Sequence, residues 1–134
     1  MAKVTAFLRP LRHVKWGIQR ARRGYSERDV WNLDHYLATV IAGGCRALAA
    51  DTHGYPNSGP DDPFTFEDWQ KELRHAADLF QEIADDDYGL LAAWDVNGDR
   101  EPKREQYDAI YAREAAVNKE AMEWLTRRFG HLWD

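Results

Sequence analysis

An all-α fold, an irregular bundle of three long helices plus a short basic N-terminal helix, is what three features of this sequence predict. Hydrophobic residues recur at three- and four-residue spacings, helix-capping motifs precede two of those runs, and clusters of turn formers separate them. A chain of 134 residues with no long Gly/Ser/Pro linker suits one helical domain over 1–134, divided into a basic arm at 1–25 and core helices at 26–50, 65–84 and 103–129. The mean hydropathy is negative, yet six Trp and six Tyr make disorder a poor reading, because disordered chains lack such aromatics.

The arm comes first. Pro10 suits a first helical position, and Leu11, Val14, Ile18 and Ala21 then share one face, with Arg12, Lys15, Gln19, Arg22 and Arg23 filling much of the rest up to Gly24. Residues 1–26 carry seven basic side chains and no acid. The rest of the chain holds 11 basic and 23 acidic residues, a balance of −12. Such a helix suits a phosphate backbone, an anionic membrane surface or an acidic partner. The acidic body of the same chain favours a simpler arrangement, in which the arm folds back, buries its stripe and pairs its arginines.

Ser26-Glu-Arg-Asp29 approximates a capping box and predicts that the central helix starts at Ser26. From there Val30, Leu33, Leu37, Val40, Ile41, Gly44 and Leu48 form a stripe expected to face the core. Trp31 lies away from that stripe and calls for a covering from the arm or the following loop. Gly43-Gly44 in mid-helix predicts a close approach, by a neighbouring helix before a ligand. Cys45 reads as a small buried residue with no paired base. Asp34 borders the stripe, where an arginine partner is expected, and His35 points toward the polar face.

The loop His53-Gly-Tyr-Pro56 ends this helix, with Gly54 expected as a left-handed cap and with His53 and Tyr55 as packed loop residues or binding residues. Thr65-Phe-Glu-Asp68 is a second capping motif, followed by the stripe Trp69, Leu73, Ala76, Phe80 and Ile83. An acidic turn at 85–89 stops that helix, and 90–94 reads as a helical turn or a brief strand. The segment 95–101 lacks the glycine and the bidentate glutamate of a calcium loop. The last helix carries Tyr107, Ile110, Tyr111, Val117, Ala121, Trp124, Leu125 and Phe129, with Gly130 expected as its cap. Glu114 and Asn118 interrupt this apolar stripe. A carboxylate there requires a partner or a cavity, so Asp34, Glu114 and Asn118 are candidates for a polar pocket between helices.

The single Cys rules out an internal disulfide framework and a thiolate-rich zinc site, and paired Glu-x-x-His motifs are missing; neither metal nor cofactor is implied. No apolar run approaches the roughly 20 residues of a membrane span, and the N-terminal stretch is a poor signal peptide. No catalytic constellation is evident, so an enzyme is not expected.

The segment Arg23-Gly-Tyr-Ser-Glu-Arg-Asp-Val-Trp-Asn-Leu-Asp-His-Tyr-Leu-Ala38, its continuation Val40-Ile-Ala-Gly-Gly-Cys-Arg-Ala-Leu-Ala49, the His53-Gly-Tyr-Pro56 loop, Thr65-Phe-Glu-Asp-Trp69 and the closing His131-Leu-Trp-Asp134 resemble a family of small proteins of tailed bacteriophages and prophages. The resemblance excludes 85–105. It implies a viral origin, with action in the cytoplasm of the bacterial host or a place in the virion, and transfers no catalytic residue. With it, the sequence favours a non-enzymatic accessory protein that binds a host or phage protein, such as an inhibitor of host defence. The alternatives are a virion or assembly component, a sponge for a small anionic ligand such as a nucleotide, and nucleic-acid binding through the arm, which the acidic body opposes. Arg12, Lys15, Arg22, Arg23, His53 and Tyr55 are the candidate partner or anion-binding residues. Trp31 and the Gly43-Gly44 groove suggest a homodimer face.

Overall fold

The Thr65 hydroxyl accepts from the Asp68 N–H at 3.1 Å while the Thr65 N–H donates to the Asp68 carboxylate at 3.0 Å. This reciprocal pair starts helix α3, Phe66–Asp85, as the sequence predicts. In the computed structural model, which describes residues 2–133 and side chains from Pro10 onward, α3 is the centre of the fold. Trp69, Leu73, Ala76 and Phe80 are fully buried along it. Helix α2, Leu33–Asp51, packs along one side and helix α5, Arg104–Arg128, along another; α2 and α5 do not pack on each other. A short helix α4, Leu90–Val96, settles the ambiguity at 90–94 and rests against α5. The described residues contain helices and no strand, so the all-α expectation holds.

The N-terminal helix is longer than expected. Helix α1 runs Ala2–Arg23 with Pro10 inside it, making it comparable in length to α2 and α3. Among the described residues it is held mainly by polar contacts to the segment after Gly24, with Arg20 also stacked on Tyr36 of α2. Leu11, Val14 and Ile18 are 53–59% exposed, so the expected burial of the arm's stripe on its own body does not occur. The reason is geometric. Trp16 and Arg20 face the body, and at 100° per residue they lie opposite Leu11, Val14 and Ile18.

The Ser26 motif forms but starts no α-helix. The Asp29 carboxylate accepts from the Ser26 N–H at 2.8 Å and the Asp29 N–H donates to the Ser26 hydroxyl at 3.3 Å, both residues being buried. The same carboxylate binds the Arg20 guanidinium, which fixes it in a 3₁₀ turn at Asp29–Asn32. Asn32, at φ −132° and ψ 64°, then breaks the helical path, so α2 begins at Leu33 and not at 26.

The face that α2 turns to the core is also different from the expected one. Ala38, Ala42, Cys45 and Ala49 are buried, Ile41 and Leu48 are partly so, and Leu33, Leu37 and Val40 are 43–52% exposed. Small side chains let α2 and α3 lie close, and the bulkier ones are left outside. Gly43 and Gly44 fall on this open side, with no atom of the described residues close enough to meet an added Cβ. Their expected close approach is therefore missing, and Trp31, 88% exposed, has no covering.

At the other end, Gly54 owes its identity to contact and not to a left-handed cap. Thr52 caps α2, and a Cβ on Gly54 would meet the Trp133 ring at 3.3 Å. Tyr55 packs its ring on Phe64 and Phe66. Beside it, Glu72 accepts from Arg128 Nε at 2.6 Å and Trp124 Nε1 at 2.9 Å, while Arg128 covers Phe64 and Trp69. This cluster ties the end of α5 to the start of α3. Helix α5 is followed by a 3₁₀ turn, Phe129–His131, so the cap expected at Gly130 falls at Phe129.

Candidate functional site

Asp34, Glu114 and Asn118 line one cleft of about 340 Å³. Its floor is Phe80 and Ile83 of α3, its walls come from α2 and α5, and Asp86 and Tyr88 close one end. The polar residues arrive from separate elements: Asp34 from the first turn of α2, and Glu114 and Asn118 one turn apart on α5. Asn118 Nδ2 donates to the Glu114 carbonyl at 2.8 Å and to the Tyr88 hydroxyl at 3.4 Å. Burial pushes the Tyr88 phenol above its ordinary pKa, with the Asn118 contact opposing the shift.

Among the described residues, no ion pair or hydrogen bond reaches the side chains of Asp34, Asp86 or Glu114. The arginine expected beside Asp34 is not there; Arg20 of the arm is committed to Asp29 and lines the cleft on the other flank of α2. Glu114 is half-buried and has only the cleft before it. Three carboxylates, an apolar floor and no basic lining residue make a site suited to a cation carried on an apolar stem. Asp86 and Tyr88 are not predictable from spacing, since they enter the cleft only because the chain turns through positive φ at 86, 88 and 89.

A second cleft, of about 520 Å³, separates α1 from the 3₁₀ turn and α2. His13, Trp16, Arg20, Arg28, His35 and Tyr36 line it. Arg28 stacks on Trp16 at 4.9 Å and Arg20 on Tyr36 at 5.1 Å. The Arg20 ion pair, with two backbone and hydroxyl contacts from Ser26, holds the Asp29 carboxyl well below the ordinary carboxylate range despite its desolvation. His35 donates from Nδ1 to the Ala84 carbonyl at 2.6 Å, which fixes its ring. Neither Trp16 nor Arg20 stood out in the sequence; their i, i+4 spacing opposite the apolar stripe is the signal that marks this cleft.

The proposed anion-binding residues do not converge. Lys15 pairs with Glu27 at 2.9 Å and lines a shallow groove on α1 with Arg22 and Arg23, whereas Tyr55 lines a separate cleft with Arg128 and Trp133. Arg12 and His53 line neither of these. Cys45 is buried, and desolvation pushes its thiol up to about 11. Among the described residues no cluster of His, Cys, Asp and Glu is placed to hold a metal ion, and no helix is long and apolar enough to cross a membrane. No protein-family model, curated protein or solved structure matches the chain.

Proposed function

We propose that this chain is a phage accessory protein that works by binding a protein partner, of host or phage origin, in the cytoplasm of the infected bacterium. The observation that carries the reading is the patch around Trp31. Its indole is almost fully exposed, and with Trp16, Glu27, Arg28 and Asn32 it lines a shallow depression of about 630 Å³. Arg28 is already stacked on Trp16, so an aromatic and arginine surface is ordered before any partner arrives. Trp and Arg are the residues that most often dominate binding energy at protein interfaces, and a preordered pair loses less entropy on docking. Val30 and Leu33, both exposed, extend the apolar surface beside Trp31. The resemblance of the 23–38 segment to phage proteins supports the viral setting and includes Trp31 itself. Interference with a host defence protein is one role such binding would serve.

The test is a photo-crosslinking residue in place of Trp31, in full-length protein expressed during infection. A discrete adduct with a host or phage protein is expected, and it should fade when Arg28 is changed to Glu. Absence of any adduct with another protein overturns the reading.

The cleft behind Trp16 favours a second reading, capture of a small anionic aromatic ligand such as a nucleotide. Arg28, whose guanidinium is bound to no carboxylate among the described residues, and the aromatic rings of Trp16 and Tyr36 line one volume of ligand size. Thermal shifts with linear and cyclic nucleotides test it. No shift across the series, or a shift unchanged by Trp16→Ala, removes it.

A further inference from the structure

Two surfaces of this chain complement each other and cannot meet within one copy. The first is the trough between α2 and α5, open because both helices pack on α3 and not on each other. Leu37 and Ile41 form one wall, Met122 and Leu125 the other, and Asp34, Asp86 and Glu114 stand along it with no basic side chain paired to them among the described residues. The second is the outer face of α1, where Leu11, Val14 and Ile18 are exposed in a row. By helical geometry Arg22 lies beside that row, and among residues 10–23 there is no acid.

A basic helix with an apolar stripe is the shape and charge that an acid-rimmed apolar trough would accept. The chain's own α1 cannot supply it. The Arg20–Asp29 and Lys15–Glu27 pairs fasten α1 beside His35, Tyr36 and Thr39 of α2. The trough is walled by Asp34, Leu37, Ala38 and Ile41, which lie on the opposite flank of the same helix. Only five residues join Arg23 to Asp29, too few to carry α1 across while that latch is closed.

We infer that the trough holds the α1 helix of a second copy, so that two copies exchange arms in a symmetric dimer. Each copy then completes a four-helix arrangement, with α2, α3 and α5 from one chain and α1 from the other. The carboxylates at 34, 86 and 114 receive arm cations, and both stranded apolar stripes are covered. This contact uses neither Trp31 nor the depression beside it, so it goes beyond the partner-binding reading and stands or falls separately.

Sedimentation velocity on the full chain tests it with a charge exchange. One variant carries Asp34→Lys and Glu114→Lys, the other Arg22→Glu and Arg23→Glu, both of which line the outer groove of α1 with the apolar row; circular dichroism checks that each remains folded. Wild type is expected to be dimeric at micromolar concentration and to dissociate as salt rises. Each variant alone should dissociate roughly tenfold more readily or worse. Mixing the two should restore the dimer, because in the mixed pair each trough again faces an arm of opposite charge. A wild type that is monomeric up to high concentration overturns the inference. So does a dimer indifferent to either variant, or a mixture that fails to recover.

Discussion

In α3 the large apolar side chains point inward, whereas α2 turns Ala38, Ala42, Cys45 and Ala49 inward and leaves Leu33, Leu37 and Val40 toward solvent. Both helices carry a stripe at helical spacing, yet only one stripe marks the core. The difference lies in what each helix has to approach. Helix α3 is central, so its large residues can be surrounded. Helix α2 packs chiefly along α3, and a face of small residues brings the two backbones together without wide gaps. The same contrast extends to α1, whose stripe is exposed and whose attachment is polar. An apolar stripe therefore identifies a surface that gains from being covered, and the covering need not be the chain's own core.

The largest effect that tests this contrast belongs to α3. Leu73→Ala, at a fully buried position, is expected to cost about 2–5 kcal/mol in urea unfolding, through lost burial and the cavity left behind. Val40→Ala, an equal-looking change on the α2 stripe, should stay within about 0.5 kcal/mol. Equal losses at the two positions would mean that the outer face of α2 is covered after all. Next comes the small-residue face. Ala42→Leu places a large side chain where no space remains and should cost about 1–3 kcal/mol, in spite of leucine's good helix propensity.

These contrasts also explain how much could be read from the residues. The Thr65 box, the α3 stripe and the break at the acidic turn were legible because local chemistry decides them. The meeting of Asp34, Glu114 and Asn118 at one cleft was visible as polar interruptions of apolar stripes. The inward face of α2 was hidden because large side chains dominate a periodicity count, although Ala38, Ala42, Cys45 and Ala49 recur at spacings of four, three and four. Ser26-Glu-Arg-Asp29 misled for a different reason: its capping bonds formed, but Arg20, outside the motif on the preceding helix, took the carboxylate's remaining capacity and set a turn. Gly54 answers to Trp133, almost eighty residues away, which no local rule could show.

The polar attachment of α1 should yield to acid before the packed half does. The folded-state pKa of Asp29 is depressed below the ordinary value of about 3.9, mainly by the Arg20 pair. Its contribution is thus fully present above about pH 4 and is lost as pH falls through the depressed value. Trp16 contacts Arg28 at this junction, so its fluorescence, read as the difference between wild type and Trp16→Phe because five other Trp are present, is expected to change at acid pH while helicity persists. Asp29→Asn should release the arm already at neutral pH. A single transition in which the core and the Trp16 signal move together would erase the distinction between the two halves.

The smallest effect concerns Gly43 and Gly44, and its sign is the informative quantity. Among the described residues nothing lies within 4 Å of a Cβ added at either position, and neither residue has a positive φ. Alanine there removes unfolded-state freedom and adds helix propensity without a clash, so each change is expected to stabilise by about 0.5–1 kcal/mol. Thermal unfolding should record a rise of roughly 2–5 °C per site for a domain of this size. If the backbone at these glycines were pressed by a helix or ligand, as mid-helix glycines suggest, the same changes would lower stability or abolish association. A gain at both positions would place this side of α2 in open solvent; a loss at either would require a contact on it that the isolated chain does not make.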